Sequence, residues 1–249
     1  MKIAVCVSLV PDSTTKVKIG NSGKSIDENG VTFILNPYDE YAVEAAVQLK
    51  EKQGAETYAI SFGTDKSKEA IKKAYQMGIE KGILIKSSSE DYDNYTVAKN
   101  LSDVLAELKP DLIFFGKQSI DFDGLAIPAM VATMLNMPFV NVVTKLDINV
   151  TEISAEREIE GGKEVISTSM PAIIGTQKGI NEPRYPNLKS IMASKSKPIE
   201  EKAATYSGNK IEIISMALPP AKGKGKILEG GVASAAELVR LLRDEAKII

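Results

Sequence analysis

The chain has 249 residues, with 31 Lys and Arg against 33 Asp and Glu, for a formal net charge of −2. His and Trp are absent and Cys6 is the one cysteine. From this chain alone there can be no Ser-His-Asp triad, Cys-His pair, imidazole base, Cys/His zinc site, cysteine-ligated iron–sulfur cluster or intrachain disulfide. The near-balanced charge argues against a nucleic-acid binder. The longest apolar runs fall far short of the roughly 18–20 residues that cross a bilayer.

Lys2 precedes an apolar run, Ile3–Val10. It lacks a small-residue cleavage pattern and ends at Pro11-Asp12, so it reads as a buried strand and not a leader. A soluble cytoplasmic protein is the expected setting. Residues 11–34 are polar and read as an excursion with a small hairpin built from Lys16–Ile19 and Val31–Leu35. Asn36-Pro37 opens a helix: Asn36 as the cap, Pro37 in the first turn, and Asp39-Glu40 at the positive end of the dipole. Ala42, Ala45, Ala46 and Leu49 form its buried stripe.

Thr57–Phe62 reads as a strand, Lys66–Met77 as a helix stopped by Gly78, and Gly82–Ile85 as a strand. Tyr95–Leu108 reads as a helix, Asp111–Phe115 as a strand, Gly124–Leu135 as a helix with Pro128 in its first turn, and Phe139–Val143 as a strand. This alternation predicts an α/β fold: a doubly wound, mostly parallel sheet with helices on both faces. Ligands of such sheets bind beyond the carboxyl ends of the strands, here Ser8–Pro11, Ser61–Asp65 and Gly116–Asp123.

The texture changes after residue 145. Leu146–Ile153 and Glu156–Thr168 alternate around Gly161-Gly162 as a β-hairpin. Ala172–Gly175 reads as a strand, Asn181–Leu188 as a polar loop, and Ile211–Ala217 as a late strand. Pro219-Pro220 and Lys222–Lys226 form a linker. Ser234 and Glu237 make a capping box for a final helix with Ala235, Leu238, Val239, Leu242 and Ala246 on one side. The expected division is a nucleotide-binding α/β domain over 1–220, with the hairpin at 146–170 and a loop at 181–196, and a C-terminal linker and helix over 221–249.

Several motifs have two readings. Gly23-Lys24-Ser25 resembles the end of a P-loop, but Lys18 stands where its first Gly belongs, so that reading fails. The Gly116–Asp123 segment lies between a strand and a helix. It could aim N–H groups at an anion, or its Asp residues could only cap the helix. Arg157, Glu158 and Glu160 could be ordinary charges at a hairpin tip. Tyr185 and Leu188 would be apolar residues left exposed without structural benefit, which points to a contact surface. The apolar end Ile248-Ile249 packs either on its own domain or on another chain.

Together these segments resemble the β subunit, or small subunit, of electron transfer flavoprotein. The resemblance rests on Val7–Pro11, Asn36-Pro37-Tyr38-Asp39-Glu40, Met77-Gly78, Gly116-Lys117-Gln118-Ser119-Ile120-Asp121, Arg157-Glu158-Ile159-Glu160-Gly161-Gly162, Pro171-Ala172 and Asn181-Glu182-Pro183-Arg184-Tyr185. It implies an electron carrier, not an enzyme. It implies a heterodimer whose α subunit holds most of an FAD and which accepts electrons from flavin dehydrogenases such as acyl-CoA dehydrogenase. It also implies a buried nucleotide in this chain: AMP in the common branch, a second FAD in the bifurcating branch.

By the same resemblance the nucleotide would touch Cys6, Asn36, Pro37, Tyr38, Asp39, Phe62 and the loop Gly116–Ile127, which continues through Phe122-Asp123-Gly124 into Leu125-Ala126-Ile127. Arg157 and Glu158 would approach the flavin. Tyr185, Leu188, Ile191 and Met192 would dock the partner dehydrogenase, with Leu188 as the anchor. The final helix would pack on the α subunit. Two departures stand out. Leu125-Ala126-Ile127-Pro128 replaces the Asn-Gln-Thr-Gly of the AMP type, and Ser13 stands where many relatives carry an aromatic residue. A competing reading is a stand-alone adenine-nucleotide-binding protein on the same architecture.

Overall fold

A computed structural model describes residues 1–249. The strands are β1 (Lys2–Cys6), β2 (Leu9–Pro11), β3 (Phe33–Leu35), β4 (Glu56–Gly63), β5 (Lys81–Lys86), β6 (Leu112–Gly116), β7 (Phe139–Asn149), β8 (Glu152–Ile159), β9 (Gly162–Ser169), β10 (Ala172–Thr176) and β11 (Glu200–Ala203). The helices are α1 (Pro37–Gln53), α2 (Lys68–Met77), α3 (Asn94–Leu108), α4 (Ala126–Leu135), α5 (Leu188–Ser194) and α6 (Ala235–Arg240). Nine strands form one sheet in the order β11-β5-β4-β1-β6-β10-β7-β8-β9. Pairing is parallel from β11 to β7 and antiparallel from β7 to β9.

The apolar run of β1 is central because both its faces are covered. Ile3 and Val5 pack with Ala42, Val43 and Ala46 of α1 and Ile71 of α2. Ala4 and Cys6 point into the opposite layer with Ala98 and Leu101 of α3 and Val131 of α4. Period-2 alternation on a strand thus feeds two separate apolar layers, with Ile3 and Val5 each contributing about 1.5–3 kcal/mol by burial and the small Ala4 less. The chain moves from β1 outward through β4 and β5, then returns through α3 to β6 on the other side of β1. That reversal is the topological switch point, and it opens a crevice at the carboxyl ends of β1 and β6. No helix is long and apolar enough to cross a membrane.

Several local expectations need correction. Ile3–Val10 is not one strand: it breaks at Val7-Ser8, and β2 pairs antiparallel with β3 in a separate two-stranded sheet. Lys16–Ile19 forms no strand; Ile19 makes a lone bridge with Ile26. Phe139–Val143 and Leu146–Ile153 are not separate strands. The chain runs straight through as β7 and turns at Val150-Thr151, making a three-stranded meander where one hairpin was expected. Ile211–Ala217 is not a strand, and β11 supplies the edge beside β5 instead. Asn36 makes no side-chain cap, and neither does Ser234, whose hydroxyl donates to the Glu229 carbonyl at 3.3 Å.

Candidate functional site

A cavity of about 200 Å³ lies in the crevice beyond β1, β4 and β6. Its frame is Asp39, in the first turn of α1. The Asp39 carboxylate accepts from the Ser8 N–H at 2.8 Å, the Ser8 hydroxyl at 2.9 Å, the Asn36 amide at 2.9 Å and the Gly116 N–H at 3.1 Å. One side chain therefore ties the exit of β1, the start of α1 and the end of β6. Burial pushes its pKa up to about 6, although all these donors pull it down. Gly116 is required at this crossing: a Cβ there would sit 2.7 Å from the Tyr38 carbonyl carbon, and α1 could not approach β6.

Asn36 completes the frame. Its Nδ2 donates to Asp39 Oδ1 and to the Gln118 carbonyl, both at 2.9 Å. Its Oδ1 has no partner, although the residue is only 1% exposed. The far wall is apolar, with Ile60 and Phe62 from β4, Val97 and Leu101 from α3, Phe115 from β6 and Ile127 from α4. Cys6 lines the floor; burial first, then the Asp39 charge, push its thiol pKa well up, so it is an inert thiol and not a reactive thiolate.

The structure brings Cys6, Asn36, Asp39 and Phe62 onto the cavity wall, together with Gly116, Gln118, Ser119, Asp121, Phe122, Gly124 and Ile127. It leaves Pro37, Tyr38, Lys117, Ile120, Asp123, Leu125 and Ala126 off that wall. Lys117 instead lies over the Tyr38 ring, 4.9 Å from its centroid. Asp123 adopts φ 49°, and its Oδ1 accepts from the Gln118 amide at 3.0 Å, so it shapes the loop. The sequence reading missed Ser67, Tyr92 and Asn94, which also line the cavity. Ser67 and Tyr92 precede α2 and α3 and Asn94 opens α3, and only the topology carries those helix starts to this crevice.

The flavin-proximal candidates lie apart, on β8. The Arg157 Nε donates to Glu164 on β9 at 2.7 Å, and Glu158 accepts from the Gln177 amide at 3.3 Å. Neither lines the cavity.

The loop before α5 is pinned to α1. The Arg184 guanidinium donates to both oxygens of Glu44, at 2.8 and 3.0 Å, and on its other side to Glu51 at 2.5 and 3.0 Å. Asn187 caps α5 by accepting from the Ser190 N–H at 2.9 Å. On this fixed base Tyr185 is 96% exposed, Leu188 81% and Met192 71%, while Ile191 is half-buried.

Beyond β11 the chain is sewn to α3. Asn100 accepts from the Thr205 and Tyr206 N–H groups, and Asp93 from those of Lys210 and Ile211. From there to residue 230 it has no regular structure. This arm leaves Ile211, Ile214, Leu218 and Ile227 exposed, and the segment after α6 leaves Ile248 and Ile249 exposed.

Comparison with known proteins agrees with this architecture. The family model described as "Electron transfer flavoprotein domain" matches residues 24–207. The electron transfer flavoprotein subunit beta of Bacillus subtilis (strain 168) is 38% identical, with all of both chains covered. The protein of the same name from Syntrophomonas wolfei is 37% identical over 100% of this chain and 98% of that one. The mouse protein of that name is 32% identical over 100% of this chain and 99% of its own. With the doubly wound sheet and the full-length matches together, the chain belongs to the electron transfer flavoprotein β-subunit family.

Proposed function

We propose that this chain pairs with an α subunit to form a heterodimeric electron transfer flavoprotein in the bacterial cytoplasm. The pair accepts electrons from flavin dehydrogenases, acyl-CoA dehydrogenase among them, and passes them onward through an FAD held mainly by the α subunit. One observation carries this reading beyond family membership: two separate segments, the 185–192 platform and the 211–249 arm, expose large apolar side chains on anchored bases. A stand-alone nucleotide-binding protein has no use for either.

The flavin supplies the redox chemistry when bound. This chain's residues dock, position and exclude water. Leu188 and Met192 enter the dehydrogenase from a helix whose base cannot sway. Arg157, held by Glu164, presents a fixed guanidinium toward the flavin edge. The arm and α6 lie on the α subunit. The cavity under Asp39 takes a structural adenine ligand, supported by its apolar wall and the unpartnered Asn36 acceptor.

Co-expression with the α subunit tests this. The purified pair is denatured and its FAD and AMP are counted. One FAD per heterodimer is expected. Two FADs would assign the chain to the bifurcating branch. A stable, colourless monomer that never pairs would leave the stand-alone reading.

A further inference from the structure

The cavity is built for one half of a nucleotide and not for the other. Asn36 supplies the clearest demand. Its two amide hydrogens point at acceptors, Asp39 Oδ1 and the Gln118 carbonyl. Exchanging O and N would set oxygen against oxygen, so the orientation is fixed and Oδ1 is a buried acceptor without a donor. An N–H or O–H group of a ligand satisfies it. The apolar wall suits a flat ring, and Phe62 and Tyr92 meet edge to face there with centroids 4.9 Å apart.

A phosphate finds the opposite conditions. No Lys or Arg lines the cavity, and its charged lining residues are the carboxylates Asp39 and Asp121. The lysines next in sequence to lining residues are engaged elsewhere. Lys66 pairs with Glu28 and Glu90, Lys68 with Asp65 and Glu201, and Lys117 covers Tyr38. The start of α4 is weakened for an anion: Leu125 offers no side-chain cap, and Pro128 lacks the N–H of the third helical position, which leaves the N–H groups of Ala126 and Ile127. Asp121 Oδ1 also takes up two nearby donors, the Ser119 hydroxyl at 2.5 Å and the Phe122 N–H at 2.9 Å.

We propose that this cavity takes an uncharged nucleoside in preference to the corresponding 5′-monophosphate. The inference rests on the reading of the cavity as an adenine site given above, and it narrows that site's ligand class. AMP fits through its base and ribose only.

Calorimetric titration of the purified heterodimer, stripped of small ligands, separates the two levels. At neutral pH adenosine is expected to bind at least about tenfold more tightly than AMP. The exposed-loop variant Asp121→Lys should move the AMP-to-adenosine ratio at least about tenfold toward AMP, since it removes a carboxylate and adds a cation. AMP binding the unaltered protein as tightly as adenosine or more tightly overturns the preference and leaves the adenine-site reading intact. No binding of either compound overturns both. An Asp121→Lys variant that shifts neither affinity shows that electrostatics do not set the choice, and the proposal fails.

Discussion

Two loops are fastened to α1 by a buried carboxylate, and they are fastened differently. At the cavity, Asp39 is held by neutral donors alone: two N–H groups, a hydroxyl and an amide. At the loop before α5, Glu44 is held by a guanidinium. A buried carboxylate with neutral partners carries its desolvation as a raised pKa, because no cation lines the cavity to offset it. A buried carboxylate with a guanidinium gains a planar, bidentate brace, and Glu51 doubles it. The first arrangement shapes a cavity; the second stiffens a platform for large exposed apolar side chains.

The largest effect should come from the brace. Arg184→Gln leaves Glu44, whose side chain is 4% exposed, without a cationic partner and with only the Gln48 amide and the N–H of residue 184 as donors. A broken buried pair typically costs 3–5 kcal/mol, and about a third of the Arg184 side chain reaches solvent, so a loss of about 3 kcal/mol is expected. Urea unfolding measures it. The same variant should raise KM for the dehydrogenase more than it lowers kcat, because the platform loses its fixed position. A shared fall in both would place Arg184 in the fold alone.

The Asp39 frame gives a smaller effect with a definite sign. Its folded pKa, about 6, lies above the ordinary aspartate value. The folded state therefore binds the proton more tightly. This contribution to stability is fully present below about pH 4 and is lost as pH rises through about 6. Relative to Asp39→Asn, the unfolding free energy of the unaltered protein should fall by about 2 kcal/mol from about pH 4.5 to about pH 7.5. Parallel profiles for the two proteins would mean that the donors cancel burial at Asp39, and a rise instead of a fall would mean that they outweigh it.

The same contrast explains what the sequence could disclose. The parallel half was legible because its signals are local: apolar runs such as Ile3–Val7, stripes such as Ala42-Ala45-Ala46, and stops such as Gly78. The crevice followed from topology. Where non-local contacts decide, the reading failed. Val150 turns with φ 56°, a conformation that a β-branched residue does not advertise. β11, Glu-Glu-Lys-Ala, has no strand composition and is an edge strand because it pairs with β5, with Glu201 facing Lys68 and Lys86. Ile211–Ala217 alternates like a strand but finds no strand to pair with; the Met216 N–H reaches the Gly23 carbonyl instead. Asn36 has the composition of a cap, yet the buried carboxylate three residues on recruits its amide. At the cavity, the β-strand exits were visible in advance, whereas Tyr92 and Asn94 reach the wall only because α3 returns across the sheet.

The smallest of the three effects falls on the exposed side chains themselves. Leu188 opens α5 and buries little of its own surface in this chain, so removing it has little to destabilise here. Leu188→Ala should leave the unfolding midpoint and the flavin spectrum of the heterodimer unchanged. It should nevertheless raise KM for the electron-donating dehydrogenase about tenfold, equivalent to about 1.4 kcal/mol of lost apolar contact. Arg184→Gln and Leu188→Ala then act on one quantity by different routes, one by releasing the platform and the other by shortening what it carries. Because these residues serve one contact, the double variant should lose less than the sum of the single losses. Full additivity in stopped-flow transfer kinetics would separate brace from anchor and sink the idea that Arg184 acts through Leu188.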